Sequence, residues 1–162
     1  MFDICFFRVY FKNVLSSYNI KSVQETGNRM VYLVKIYFKD LARFYNYSMK
    51  EFFDIVRKLP YKSDLDKIEI LHRPGMTLSN TVKYRDCDDK AILLGAFLYM
   101  KKIVFRFIAV SDRPDKKLHH VLIEAILGGH PRQLDATYPQ NTFEMQRKYT
   151  AIEPISEWIQ YV

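Results

Sequence analysis

One cysteine that stands directly before a long apolar helix constrains this chain more than any other sequence feature. The helix is predicted over Asp88 to about Lys101, because apolar residues recur there at helical spacing. Asp86 precedes it as a good N-cap, so Cys87 falls at the helix N-terminus, where unpaired N–H groups favour a thiolate. Three flanking aspartates disfavour a second negative charge. A histidine that can become cationic is therefore needed to activate this thiol.

Two adjacent histidines open the next chemically informative segment. A strand is predicted over Leu118 to Leu127, because Gly128-Gly129 follows it as a hairpin turn signal. Side chains alternate along a strand, so His119 shares a face with apolar residues, whereas His120 shares the other with Glu124. A buried glutamate is costly unless a polar site needs it, which favours His120 as the base. His119 stays open because the register is unknown, and Glu124 either supports the site or lies on a solvated edge.

An aspartate follows the predicted turn. The segment from Arg132 to Pro139 can return antiparallel to the histidine strand, and Pro139 ends it. Asp135 could then accept a hydrogen bond from one imidazole nitrogen, which fixes the tautomer and stabilises the imidazolium. A nucleophile, a base and an orienting acid thus occur in the order cysteine, histidine, aspartate.

These three blocks are similar to blocks of the transglutaminase-like superfamily, whose fold is papain-like. The blocks are Arg85–Ala91, His120–Glu124 and Leu134–Thr137. The resemblance implies that Cys87 is the nucleophile, His120 the base and Asp135 the acid that orients the base. It also makes Arg85, Asp86, His119 and Glu124 candidates for substrate binding or for support of the triad.

The resemblance extends from about Asp64 to Pro139, as in compact bacterial and phage members. It implies an α+β fold with a papain-like core, in which N-terminal helices precede a nucleophile helix packed on an antiparallel sheet. Two positions depart from the family pattern. Arg85 stands where the family usually has glycine, so a cation either narrows the approach to the thiol or binds an acidic substrate. Leu122 stands where an aromatic is common, which predicts a differently shaped cleft.

The function that the resemblance implies is hydrolysis of an amide or peptide bond through a thioester. A thiolate–imidazolium ion pair would attack the carbonyl of a protein or peptide substrate. An amine in place of water would make the enzyme a protein-glutamine acyltransferase with the same triad. A catalytically inactive structural or binding module is the remaining alternative, because a free cysteine often does nothing but pack.

No metal or cofactor is expected. Cysteine, histidines and aspartates are possible zinc ligands, but neither C-x₂-C nor H-x₃₋₅-H spacing occurs. The acidic run that surrounds Cys87 also lacks the glycine and the distal glutamate of a calcium loop.

Composition narrows the class of protein further. The 162 residues, of which 49% are hydrophobic, suffice for a single compact domain over residues 1–162. Lys and Arg exceed Asp and Glu by 25 to 18, yet the basic residues are dispersed and no nucleic-acid-binding motif accompanies them, so nucleic acid is not the expected partner. Two cysteines, Cys5 and Cys87, predict a reducing compartment rather than a disulfide framework. The absence of a signal peptide and of an apolar span predicts a cytoplasmic or virion-associated protein.

The first third of the chain is predicted to be helical after an undecided start. One helix is expected over 28–44, and a second opens at Ser48 with Glu51 as its capping-box partner and closes at Pro60. Residues 2–14 are either a strand or an added helix. A further strand is predicted over 103–110, and a turn at Pro74-Gly75.

Overall fold

The computed structural model describes residues 14–17, 22–64, 69–82 and 85–161, and these form an α+β protein. The open question of strand or helix over residues 2–14 falls almost wholly outside these ranges. The helical elements are α1 (Val23–Tyr37), a 3-10 helix (Phe38–Phe44), α2 (Met49–Lys58), α3 (Pro74–Thr77) and α4 (Cys87–Met100). The strands are β1 (Val14–Ser17), β2 (Glu69–His72), β3 (Phe105–Ser111), β4 (His120–Leu127), β5 (His130–Leu134) and β6 (Ala151–Pro154).

The larger sheet is antiparallel throughout and has the order β5-β4-β3-β6 within the described ranges. β1 and β2 form a separate two-stranded ribbon. β4 is central, since it pairs with β3 on one side and with β5 on the other. No helix in the described part of the chain is long and apolar enough to cross a bilayer.

Helix α4 forms the centre of the core. It is buried from Asp88 to Tyr99, which explains why its sequence is apolar on nearly every side. One face of β4 joins it in the main core through Val121, Ile123 and Ala125, as the alternation predicts. The other face contributes Leu122 to a smaller cluster, with Ile108 and Val110 of β3. Helix α4 therefore lies against the antiparallel sheet.

The helix boundaries follow their capping residues. α4 begins at Cys87, one residue before the prediction, with Asp86 as its N-cap. α2 has the predicted capping box between Ser48 and Glu51 and ends at Lys58, just before Pro60. α1 starts at Val23, earlier than predicted, because the Ser22 side chain accepts from the N–H of Glu25 and caps the helix there. The segment predicted as the end of this helix is the 3-10 helix instead.

The hairpin between β4 and β5 has the predicted turn. Gly128 and Gly129 adopt φ values of 58° and 81°, which glycine adopts readily because it lacks a Cβ. β5 ends at Leu134, so Asp135 lies one residue beyond the strand on which it was predicted. Pro74-Gly75 opens the short helix α3 rather than a turn, since proline suits the first helical position.

The C-terminal segment adds a strand, β6, that was not predicted from the sequence. β6 pairs with β3, and Ile155 directly after it is fully buried. Gly27 of α1 fits against this segment so closely that a Cβ would lie 1.8 Å from the Ile155 carbonyl oxygen. The close approach fixes α1 beside the sheet.

Candidate active site

The nucleophile candidate lies in the first turn of α4, as predicted. Asp86 adopts an extended conformation, and its carboxylate accepts from the N–H groups of Asp88 and Asp89 at 3.2 and 3.5 Å. Cys87 is half-buried directly after this cap. The N-cap prediction for Asp86 is confirmed, and Cys87 is the first residue of the helix.

The surroundings of Cys87 keep its thiol protonated in this side-chain arrangement. Burial raises the pKa of Cys87 well above its usual value, the charges of Asp88 and Asp86 raise it further, and the Val121 N–H opposes them. The sulfur donates to the Asp88 carboxylate, with an Sγ to Oδ1 distance of 3.5 Å. Among the described residues no hydrogen bond joins this sulfur to His120. The raised pKa and the contact with Asp88 favour the thiol over the thiolate in this arrangement, and the predicted ion pair with His120 stays a prediction.

Replacing Asp88 with asparagine is expected to lower the pKa of Cys87. The isosteric change removes the neighbouring negative charge that disfavours the thiolate, while burial still holds the pKa above its ordinary value. The measurement is the pH midpoint of iodoacetamide alkylation in a Cys5→Ala, His120→Ala background, where Cys87 is the only thiol. Asp115→Asn, on the exposed loop before β4, is the matched control and should leave the midpoint unchanged. An equal midpoint in both variants would contradict the electrostatic account.

The base and acid candidates are in direct contact. His120 is the first residue of β4, and its Nε2 lies 3.0 Å from Oδ2 of Asp135. Both side chains are largely buried, with 11% and 7% of their surfaces exposed. The antiparallel pairing of β4 and β5 favours this contact, since Leu134 is opposite Ile123 and the chain runs on from there towards the start of β4.

The Asp135 carboxylate is held in its charged form. Burial raises its pKa, but the hydrogen bond and charge of His120 outweigh burial, and the Thr137 N–H adds to their effect. The net result is a pKa for Asp135 below its ordinary value. The other carboxylate oxygen accepts the Thr137 N–H at 3.0 Å, and the Asp135 carbonyl accepts from Asn141 Nδ2 at 3.0 Å. The acid therefore has a fixed orientation.

A pocket of about 520 Å³ brings the thiol and the imidazole to one surface. Its lining includes Cys87, His120, Tyr61 and the N-terminus of α1 at Ser22. Tyr138 stacks on the His120 ring with centroids 5.9 Å apart and also contacts the ring of Tyr61. These aromatic rings shield one side of the imidazole.

His119 also borders this pocket, but its ring is bonded elsewhere. Its Nε2 lies 3.1 Å from Asp112 Oδ1, and its Nδ1 lies 3.1 Å from the Lys117 carbonyl oxygen. Both partners belong to the loop before β4. His120, not His119, has the contact with Asp135 that was predicted for the base.

Arg85 and Glu124 are committed to structural contacts. The Arg85 side chain is buried and donates to the carbonyls of Thr77 and Ser79 at 2.7 and 2.8 Å. Glu124 forms a cross-strand ion pair with Arg106 of β3, at 2.6 Å. The Arg85 bonds connect the residues just before α4 to the end of α3. The Glu124 ion pair connects β4 to β3. Neither contact supports the predicted part in substrate binding or in the triad.

Two buried polar residues at the start of α4 were not singled out in the sequence. Asp89 is fully buried, and its two carboxylate oxygens lie 2.7 Å from the backbone N and the Nδ1 of His72. Lys90 is 1% exposed and donates to the Thr137 carbonyl at 2.7 Å. The available signal was the lysine itself, because every residue that follows it in this helix is apolar. The neighbouring aspartates obscured it, because a lysine beside three acids is most simply explained by local charge balance.

The Asp86–Asp88 segment brings three potential metal-ligand atoms within 4.8 Å of one another. They come from consecutive residues, and Asp86 already caps the helix while the Cys87 sulfur donates to Asp88. The segment is described more simply as a capped helix start than as a metal centre.

The geometry of this candidate site is the whole basis for functional assignment. Comparison with protein-family models, with curated proteins and with solved structures found no match to this chain.

Proposed function

We propose that this protein is a cysteine-dependent amide or peptide hydrolase of the transglutaminase-like type, with a papain-like core. Cys87 is the nucleophile, His120 the base and Asp135 the residue that orients the base. The observation that carries the proposal is the 3.0 Å contact between His120 and Asp135 beside a pocket that Cys87 also lines. The thiol at the start of a helix that lies against an antiparallel sheet supports the proposed core.

The hydrogen bond to Asp135 assigns a task to each nitrogen of His120. Nε2 carries the proton and donates to the carboxylate, so Nδ1 has the lone pair that can accept a proton. Cys87 and His120 line the same pocket, and the proposal requires a Cys87 rotamer that brings the sulfur from Asp88 to this nitrogen. His120 then takes the thiol proton as the sulfur forms its bond to the substrate carbonyl carbon.

The remaining steps return every group to its starting form. The imidazolium gives its proton to the leaving amine as the carbon–nitrogen bond breaks, which leaves a thioester on Cys87. His120 then deprotonates a water molecule that attacks the thioester, and the carboxylic acid departs as the thiol is restored. Asp86 already accepts from the N–H groups of Asp88 and Asp89, so the Cys87 N–H is the expected donor to the oxyanion.

Alkylation of Cys87 as a function of pH tests this proposal. In a Cys5→Ala protein, the iodoacetamide rate should rise with a midpoint well below the ordinary thiol value, because His120 assists deprotonation. A single midpoint above the ordinary thiol value of about 8.5 would contradict the proposal and favour an inactive module.

Product analysis separates hydrolysis from acyl transfer. Unstructured peptides are incubated with the protein in ¹⁸O-labelled water that contains a primary amine. We expect ¹⁸O in the product carboxyl group, because water is the acceptor of the thioester. Incorporation of the amine would assign the alternative acyltransferase reaction, and Cys87→Ala is the control that should form neither product.

A further inference from the structure

Lys90 joins the nucleophile helix to the segment that follows the catalytic acid. It lies one helical turn after Cys87, and its Nζ donates to the Thr137 carbonyl at 2.7 Å. Longer contacts reach the carbonyls of Ala136 at 3.4 Å and Arg57 at 3.5 Å. All three acceptors are backbone oxygens, so among the residues that the structure describes no carboxylate is hydrogen-bonded to the buried ammonium. Such a charge is costly to bury, and breaking its contacts would leave it uncompensated.

The carbonyls that Lys90 holds belong to the two residues directly after Asp135. The same short segment sets the orientation of the acid, because the Thr137 N–H donates to one Asp135 oxygen while His120 contacts the other. A shift of the Thr137 peptide would therefore move the carboxylate relative to the imidazole. Asn141 holds the Asp135 carbonyl, which leaves the Ala136 and Thr137 carbonyls to Lys90.

We propose that Lys90 is a positioning residue for the triad, because its ammonium holds the Ala136 and Thr137 carbonyls and thereby fixes Asp135 against His120. This inference rests on the proposed function. It makes α4 the source of both the nucleophile and the group that aligns the acid. Helix α4 then fixes the position of the Cys87 thiol relative to the Asp135 carboxylate.

The charge on Lys90 is itself tuned by its surroundings. Burial, and after it the Arg85 guanidinium, lower the pKa of Lys90 while the Asp135 carboxylate raises it, and the net result is a pKa of about 8. Lys90 is consequently charged at neutral pH, where an ammonium donates stronger hydrogen bonds than a neutral amine.

Replacing Lys90 with methionine tests the proposal. The change keeps an unbranched side chain, one atom shorter, and removes the donor from the two carbonyls. In the Cys5→Ala background, we expect iodoacetamide alkylation at pH 6.5 to fall about tenfold, as for other groups that act through a catalytic residue. The midpoint should also move towards that of Asp135→Asn. Lys90→Arg keeps a charged donor and should retain the rate within about threefold. Lys50→Met, at a side chain that is 70% exposed, is the matched control and should match wild type.

The outcomes distinguish this inference from the proposed function. A wild-type midpoint at or above that of an ordinary thiol would contradict both. A wild type that is activated and impaired by Asp135→Asn, but not by Lys90→Met, would overturn only the role of Lys90.

A measurement on the wild type tests the proposal even where the Lys90→Met variant does not fold. The amide nitrogens of Thr137 and Tyr138 adjoin the two carbonyls that Lys90 holds. Their ¹⁵N shifts should titrate together with the Lys90 amine, with a midpoint near 8. The His120 ring should respond at the same midpoint. If the ¹⁵N shifts of Thr137 and Tyr138 do not change as Lys90 titrates, the proposal is overturned.

Discussion

Replacing His120 with alanine is expected to lower peptide hydrolysis by about 10² to 10⁴-fold, the usual contribution of a general base. The loss should be large because the thiol cannot compensate. Burial and the charges of Asp88 and Asp86 raise the pKa of Cys87, so without the imidazole little thiolate exists at neutral pH. The pH midpoint of Cys87 alkylation should rise to or above the value of an ordinary thiol in the same variant.

His119→Ala is the matched control for this experiment. The two histidines are adjacent and both border the pocket, but only His120 contacts Asp135, whereas His119 contacts Asp112 and the Lys117 carbonyl. His119→Ala is therefore expected to retain the low alkylation midpoint. Reversed results would assign the base to His119. The contact between His120 and Asp135 would then no longer support the proposed triad.

Local sequence signals were sufficient to predict much of the framework that carries this site. Asp86 predicts the start of α4 because a short acidic side chain satisfies the first N–H groups of a helix. Gly128-Gly129 predicts the hairpin because both positions require positive φ. Alternation along β4 predicts which face packs in the main core. Each of these inferences needs only residues that are near one another in the sequence.

The contacts that the sequence did not reveal join residues of different structural elements. Lys90 bonds to Thr137, Arg85 to Thr77, and Glu124 to Arg106, and nothing local indicates these partners. Arg85 shows the consequence, because its charge suggests substrate binding until its carbonyl partners are known. The protonated state of Cys87 has the same origin, since burial has the largest effect on its pKa and depends on the tertiary fold.

Replacing Asp89 with alanine is expected to destabilise the fold rather than to act on the chemistry. Asp89 is fully buried and accepts from the His72 N–H while its second oxygen contacts the His72 ring, so it anchors β2 to the start of α4. Each buried group left without its partner costs about 1–3 kcal/mol, so two such groups should lower the free energy of unfolding by about 2–6 kcal/mol. For a chain of this length, each kcal/mol corresponds to roughly 2–4 °C in melting temperature.

Thermal unfolding of three aspartate variants separates the anchoring role from catalysis. Asp54→Ala removes a carboxylate from surface ion pairs with Lys50 and Arg57, and its melting temperature should change little because solvent screens such pairs. Asp135→Asn should abolish activation of the thiol at a smaller cost in stability than Asp89→Ala, since the amide oxygen can still accept the Thr137 N–H. Equal melting temperatures for wild type and Asp89→Ala would show that β2 does not depend on this carboxylate.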